Sequence, residues 1–382
     1  MSAVVSLPET TPRTAPGARR GPAPPNPTLD LLVGIVGLWL AAGFLLDSWA
    51  HLHTQIETFF TPYHAAFYSA MVAGTLILAV VARRNLALGF TGINVLPAAY
   101  QSALWGIPIF FAGGVGDLIW HTFFGVEDRV EAVTSPTHLI IGLGVLLVCG
   151  APIRSALEQR STLTTLRSQL PLLFALATWL EFIHLGTAYA LDPSAARLYA
   201  PPAAIGYSPD YFTNTTMVMF KTGSGVAIII LQSLILMGIC LWPLSRFALR
   251  PGAFVVLLVC GNCMIAAALT NDSPIFITYL AMSVVAGITG DVIVARLHPL
   301  RSTPVAFGTF GALVPLAYYG TYFVVTTLTG GVWWSWTLVL GALVWAMLCG
   351  LGLSLVAGAR KESITKGPFE GNGAFTTPPK SL

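Results

Sequence analysis

Ten long apolar runs separated by short polar turns constrain this chain more than any other feature. They lie near 31–52, 62–82, 98–122, 136–152, 170–190, 216–242, 252–270, 275–296, 304–328 and 332–357. A helix needs about 20 apolar residues to cross a hydrocarbon core. Only helices and closed barrels satisfy their backbone hydrogen bonds there without water. Hydrophobic residues make up 55% of the 382 residues and charged ones only 9%, with a mean hydropathy of +0.75, which excludes an ordinary soluble domain. The expected fold class is all-α, a polytopic helical membrane protein of about ten transmembrane helices. Its main partner is the lipid bilayer, and no nucleic-acid partner is expected.

The regions flanking the runs are of a different kind. Residues 1–29 hold seven prolines with Arg13, Arg19 and Arg20, a composition that predicts a disordered basic tail. Arg19-Arg20 is followed by proline-rich sequence rather than an apolar segment, so the first run reads as a retained helix and not a cleaved signal. The expected organisation is a tail at 1–29, helices 1–5 within 30–190, a loop at 191–215, helices 6–10 within 216–358, and a tail at 359–382. The proline- and tyrosine-rich loop is long enough to form either a lid or a plain surface connection.

Charge distribution sets the expected orientation. With the N-terminus in the cytoplasm, 16 of the 19 Lys and Arg fall on the inner side, and only Arg129, Arg197 and Lys221 fall outside. That is the bias of the positive-inside rule. It predicts a plasma-membrane protein with both termini cytoplasmic. Asp291, near Arg296, is expected to form a structural ion pair, and Trp333, Trp334 and Trp336 an interfacial belt. The five cysteines all fall in apolar runs, so no disulfide framework is implied, and Cys260-x-x-Cys263 reads as buried thiols more readily than as a metal site.

Against this apolar background one polar stretch stands out. Asp47, His51, His53, Glu57 and His64 fall within eighteen residues. Asp47 and His51 are spaced i,i+4, so they share a helix face. The pattern recurs: Asp117 and His121 follow at an offset of 70, and Pro136-Thr137-His138 repeats Pro62-Tyr63-His64 at 74, with Glu127 and Glu131 between them. The first four helices therefore read as a duplicated two-helix unit. Helix 5 adds Glu181-x-x-His184. The topology places six of the seven histidines toward the extracytoplasmic face. A lone ionisable residue at a helix end can simply snorkel to water, but repeated carboxylate–imidazole sets in a membrane mark function.

Imidazole and carboxylate donors without thiolate suit copper(II), zinc, iron or manganese. Asp-x3-His with a second His gives three ligands and leaves positions open, as catalytic sites require. Asp47, His51 and His64 are the candidate ligands of one site, and Asp117, His121 and His138 of a second. The two copies could instead merge into one polynuclear site with Glu181 and His184. Pro62 and Pro136 fit the first turn of their helices and would fix where the following histidines point. Glu57, Glu127, Glu131, Glu181 and His184 are candidate supporting, bridging or proton-carrying groups, with His184 also a candidate ligand. His53 points away from His51 on a helix.

Asp47-x3-His51-x12-His64 resembles the ligand segment of the C subunit of copper membrane monooxygenases, the particulate methane and ammonia monooxygenases. Thr61-Pro62-Tyr63-His64, followed by Phe67-Tyr68, and Asp117-Leu-Ile-Trp120-His121 are similar to segments of that subunit. The likeness covers about forty residues. This chain carries the motif twice, and it spaces its second pair as His121-x16-His138. The resemblance implies copper held near the outer membrane face and a monooxygenase-type oxidoreductase, or a subunit of one. It also implies an electron donor, an apolar substrate and partner membrane subunits. The other readings are a metal transporter or metal-delivery protein, a bis-His haem protein, and a membrane zinc hydrolase.

Overall fold

The computed structural model describes residues 21–53, 59–125, 134–187, 211–269, 273–297, 304–329, 332 and 334–358. Among them, ten helices of 14 residues or more account for the ten apolar runs: α1 (Pro27–His53), α2 (Pro62–Ala87), α3 (Ala103–Phe124), α4 (Pro136–Cys149), α6 (Leu166–Gly186), α7 (Tyr211–Leu244), α8 (Ala253–Leu269), α9 (Ser273–Leu297), α10 (Pro304–Thr329) and α11 (Trp336–Gly358). A short α5 (Ala151–Glu158) follows α4 directly. The protein is all-α and polytopic. Eight segments are long and apolar enough to cross a membrane, α4 counting together with α5 as Pro136–Glu158. The exceptions are α6, which carries Arg167, Gln169, Glu181 and His184, and α8, which is 17 residues long.

Packing divides the bundle into two apolar clusters. One is built on α1–α4 around Leu40, Phe67, Met71, Phe110 and Val145. The other runs from α5 to α11 around Leu173, Met237, Phe254, Phe310 and Tyr319. Lipid is as apolar as leucine, so close backbone approach rather than water exclusion joins such helices. Small residues permit it. A Cβ on Gly43 would sit 2.8 Å from the backbone of Phe67, and one on Gly144 would sit 2.7 Å from Phe110. Gly34 and Gly37 of α1 take Phe174 and Thr178 of α6 in the same way, which ties the two clusters together.

One end of the first cluster is closed by polar contacts. Asp30 accepts from Tyr100 Oη (2.7 Å), Ser155 Oγ (2.8 Å) and Gln159 Nε2 (3.2 Å). Arg154 donates to the carbonyls of Ala99 and Leu147 and to Ser102 Oγ. This network ties the start of α1 to α5, so α1 runs from it toward Asp47, 17 residues or about 26 Å away.

Two expectations are corrected. Asp291 accepts from the backbone N–H groups of Phe254 (3.1 Å) and Val255 (3.2 Å), so it caps the start of α8 rather than pairing with Arg296. A carboxylate there meets orphan donors and the positive end of the helix dipole. Trp334 is buried against Phe323, with ring centroids 5.9 Å apart, and only Trp336 is exposed as a belt residue would be. Trp333 lies outside the described residues.

Candidate metal centres

Two triads form at the end of the bundle away from Asp30. Asp47 and His51 sit one turn apart on α1, and His64 comes from the first turn of α2. Their donor atoms lie within 4.8 Å of one another, as do those of Asp117, His121 and His138 on α3 and α4. In the first triad Asp47 Oδ2 is 3.6 Å from His51 Nε2 and 3.4 Å from His64 Nε2. In the second, Asp117 Oδ1 is 3.5 Å from His121 Nε2 and 3.1 Å from His138 Nε2.

The local sequence explains why these histidines point inward. Thr61 caps α2 by accepting from the backbone N–H of His64, and Ser135 caps α4 by accepting from that of His138. In both, proline opens the helix and histidine takes its third position. The cap therefore holds the histidine backbone in one place at each triad. Thr137 adds a support that the first triad lacks among the described residues: its hydroxyl donates to Asp117 Oδ1 at 2.8 Å.

Ring orientation decides what the imidazoles present. His64 Nδ1 lies 2.5 Å from the carbonyl of Phe59, and His121 Nδ1 lies 3.1 Å from that of Gly125. A carbonyl only accepts, so both Nδ1 atoms carry hydrogen. In the neutral ring each Nε2 then turns a lone pair toward a carboxylate. Two lone pairs facing each other at 3.4–3.5 Å call for a cation. Either a proton on each ring or one metal ion per triad supplies it. The second choice satisfies the carboxylate and both rings at once.

The spacing fits a metal. Donors bonded at about 2.0–2.1 Å with near-tetrahedral angles stand about 3.3 Å apart, and the four observed separations run from 3.1 to 3.6 Å. Asp47 Oδ1 and His121 Nε2 are buried and make no hydrogen bond among the described residues. Unmet buried polar atoms are costly, and here both belong to the triads. The contact of His138 with Asp117, by contrast, is short enough for a direct hydrogen bond. Nδ1–H to a backbone carbonyl is also the usual way a protein fixes the tautomer of a ligating histidine.

The other candidates fall elsewhere. Glu181 and His184 are buried on α6 and join neither triad. Glu181 lies within electrostatic reach of Cys260 on α8, while the intervening Phe182 packs on Phe44 of α1. Glu57, Glu127, Glu131, most of the 191–215 loop and the side chains of His53 and Cys263 lie outside the described residues. The described donors group as two triads, with aromatic rings beside them. Phe59 stacks on His64 at 4.8 Å and reaches His121 at 6.4 Å, and Phe44 of α1 reaches His138 at 6.4 Å. The capping hydroxyls were legible in Thr61-Pro62 and Ser135-Pro136. The Phe59 and Gly125 carbonyls left no sequence signal.

Comparison with protein-family models, with characterised proteins and with solved structures gave no match.

Proposed function

We propose that this protein is an integral membrane metalloenzyme holding one copper ion at Asp47, His51 and His64 and a second at Asp117, His121 and His138. Its role on this reading is that of a monooxygenase-type oxidoreductase or a subunit of one. The observation that carries the metal assignment is the pair of Nδ1–H···O=C contacts, which aim the Nε2 lone pairs of His64 and His121 at carboxylates. Copper, when bound, supplies one-electron redox chemistry. The chain holds the imidazole tautomers, fixes the rings through the two helix caps and leaves coordination positions open. Phe59 and Phe44 lie against the triad histidines, and Phe67 and Phe110 pack behind them, an apolar surface suited to a substrate arriving from lipid.

The likeness of Asp47-x3-His51-x12-His64 to the copper monooxygenase C subunit supports the choice of copper and of the reaction. The distribution of Lys and Arg supports cytoplasmic termini and metal centres on the extracytoplasmic side of the plasma membrane. An electron donor and partner membrane subunits complete the reading, with Glu57, Glu127 and Glu131 as candidate proton carriers by their place in the sequence.

The test is metal analysis by mass spectrometry on protein purified in mild detergent. The comparison proteins are Asp47→Ala/His51→Ala/His64→Ala and Asp117→Ala/His121→Ala/His138→Ala. Two coppers per chain, one lost in each variant, is the expected result. It would lead directly to assays of oxidation of apolar substrates. Zinc alone would replace this reading with a membrane hydrolase using a metal-activated water. No metal after reconstitution would overturn it.

A further inference from the structure

Among the described residues, Tyr68 brings a hydroxyl close to both triads without belonging to either. Tyr68 lies one helical turn beyond His64 on α2, with ring centroids 6.3 Å apart. Its hydroxyl rests on Gly114 of α3, three residues before Asp117 and so on the same helix face. A Cβ on Gly114 would sit 2.7 Å from Tyr68 Oη, so glycine is what leaves room for the hydroxyl beside the second triad. Tyr68 thus touches the first triad through its own helix and the second through its neighbour. Both Asp47 and Asp117 lie within electrostatic range of it.

The surrounding rings fix its place. Phe59, which reaches both His64 and His121, lies 6.0 Å from Tyr68, and Phe67 and Phe110 hold the other sides at 5.4 Å each. Tyr68 is half-buried rather than enclosed, and among the described residues its hydroxyl takes no hydrogen bond from or to the protein. Phe59, Phe67 and Phe110 supply no acceptor, so the hydroxyl is available to a small ligand.

We propose that Tyr68 is a positioning residue shared by both metal centres, its hydroxyl donating a hydrogen bond to a small anionic or oxygen-bearing ligand entering at either triad. This rests on the metal reading above and adds to it the class of ligand and the residue that selects it. It also makes the centres two mononuclear sites separated by the Phe59–Tyr68 layer, rather than one binuclear site.

The experiment uses full-length copper-loaded protein and azide as the probe, followed by Cu(II) absorption and electron paramagnetic resonance. Tyr68→Phe removes only the hydroxyl, and Tyr63→Phe, whose ring packs on Trp49, is the control. Each is placed on both single-triad backgrounds, so that every sample reports one centre. Tyr68→Phe should keep its copper yet bind azide about tenfold more weakly on both backgrounds, the loss expected for a hydrogen bond to a charged ligand. Tyr63→Phe should leave azide binding unchanged. The parent protein with both triads should show the full spin of two Cu(II) ions. Unchanged azide affinity in Tyr68→Phe on either background would overturn the shared role, and spin lost to coupling would overturn the separation. Absence of copper from the parent protein would remove the metal reading itself, a result read from metal content before any azide is added.

Discussion

Each triad is held by short-range contacts that differ between the two copies, and the differences make separate predictions. Thr137 supports Asp117, and among the described residues the first triad has no equivalent. Thr137→Val should weaken metal binding at the second triad by about 10- to 100-fold, as loss of a group orienting a ligand does. The first triad should be unaffected. Chelator competition on the two single-triad backgrounds measures both. Gly125 holds its carbonyl against His121 at φ +80°, a backbone conformation that a β-branched residue resists. Gly125→Val should therefore loosen His121 and weaken the second centre, with a smaller effect on the first. Thr61→Ala removes the cap beneath His64. It should cost about 1 kcal/mol of stability, read from thermal unfolding in detergent, together with affinity at the first centre.

Between helices the governing quantity is how closely two backbones approach. A Cβ on Gly350 of α11 would meet the carbonyl oxygen of Gly311 on α10 at 1.9 Å and Pro315 at 2.8 Å. No side-chain movement relieves a clash with backbone, so Gly350→Leu must push α10 and α11 apart. The expected cost is about 1–3 kcal/mol or more, seen as a lower unfolding temperature with copper content at the distant triads retained. Gly43→Leu separates α1 from α2, the pair that builds the first triad, and should lose stability and first-site copper together. Asp291→Ala uncaps α8 and should cost about 0.5–2 kcal/mol without touching either metal centre.

For the molecule as a whole, the distribution of Lys and Arg predicts a definite orientation. A fluorescent protein fused after Gln159, in the connection from α5 to α6 that carries Arg160, should fold in the cytoplasm and fluoresce. A periplasmic phosphatase fused at the same point should be inactive. The reverse pattern would place the metal centres on the cytoplasmic side. The bundle also separates its tasks. Asp30, Tyr100, Arg154, Ser155 and Gln159 lock one end with mutually satisfied hydrogen bonds. The triads at the other end retain buried polar atoms that make no hydrogen bond among the described residues.

Much of this was legible in the sequence because it is local. Apolar run length specifies a spanning helix without reference to anything else in the chain. The i,i+4 spacing puts Asp47 with His51 and Asp117 with His121 wherever those helices lie, and Thr61-Pro62 and Ser135-Pro136 cap the helices that present His64 and His138. The sequence therefore determined the helical class and both Asp/His triads, each built from an i,i+4 pair and a histidine at the start of the next helix. It could not decide contacts between residues brought together only by helix packing. The capping of α8 by Asp291, the burial of Trp334, the position of Glu181 and His184 outside the triads and the placing of Tyr68 against Gly114 each join distant segments. They depend on where glycines let two backbones close, and periodicity along one helix carries no information about its neighbour. The tertiary structure alone set two triads apart and placed an aromatic layer with the Tyr68 hydroxyl beside them.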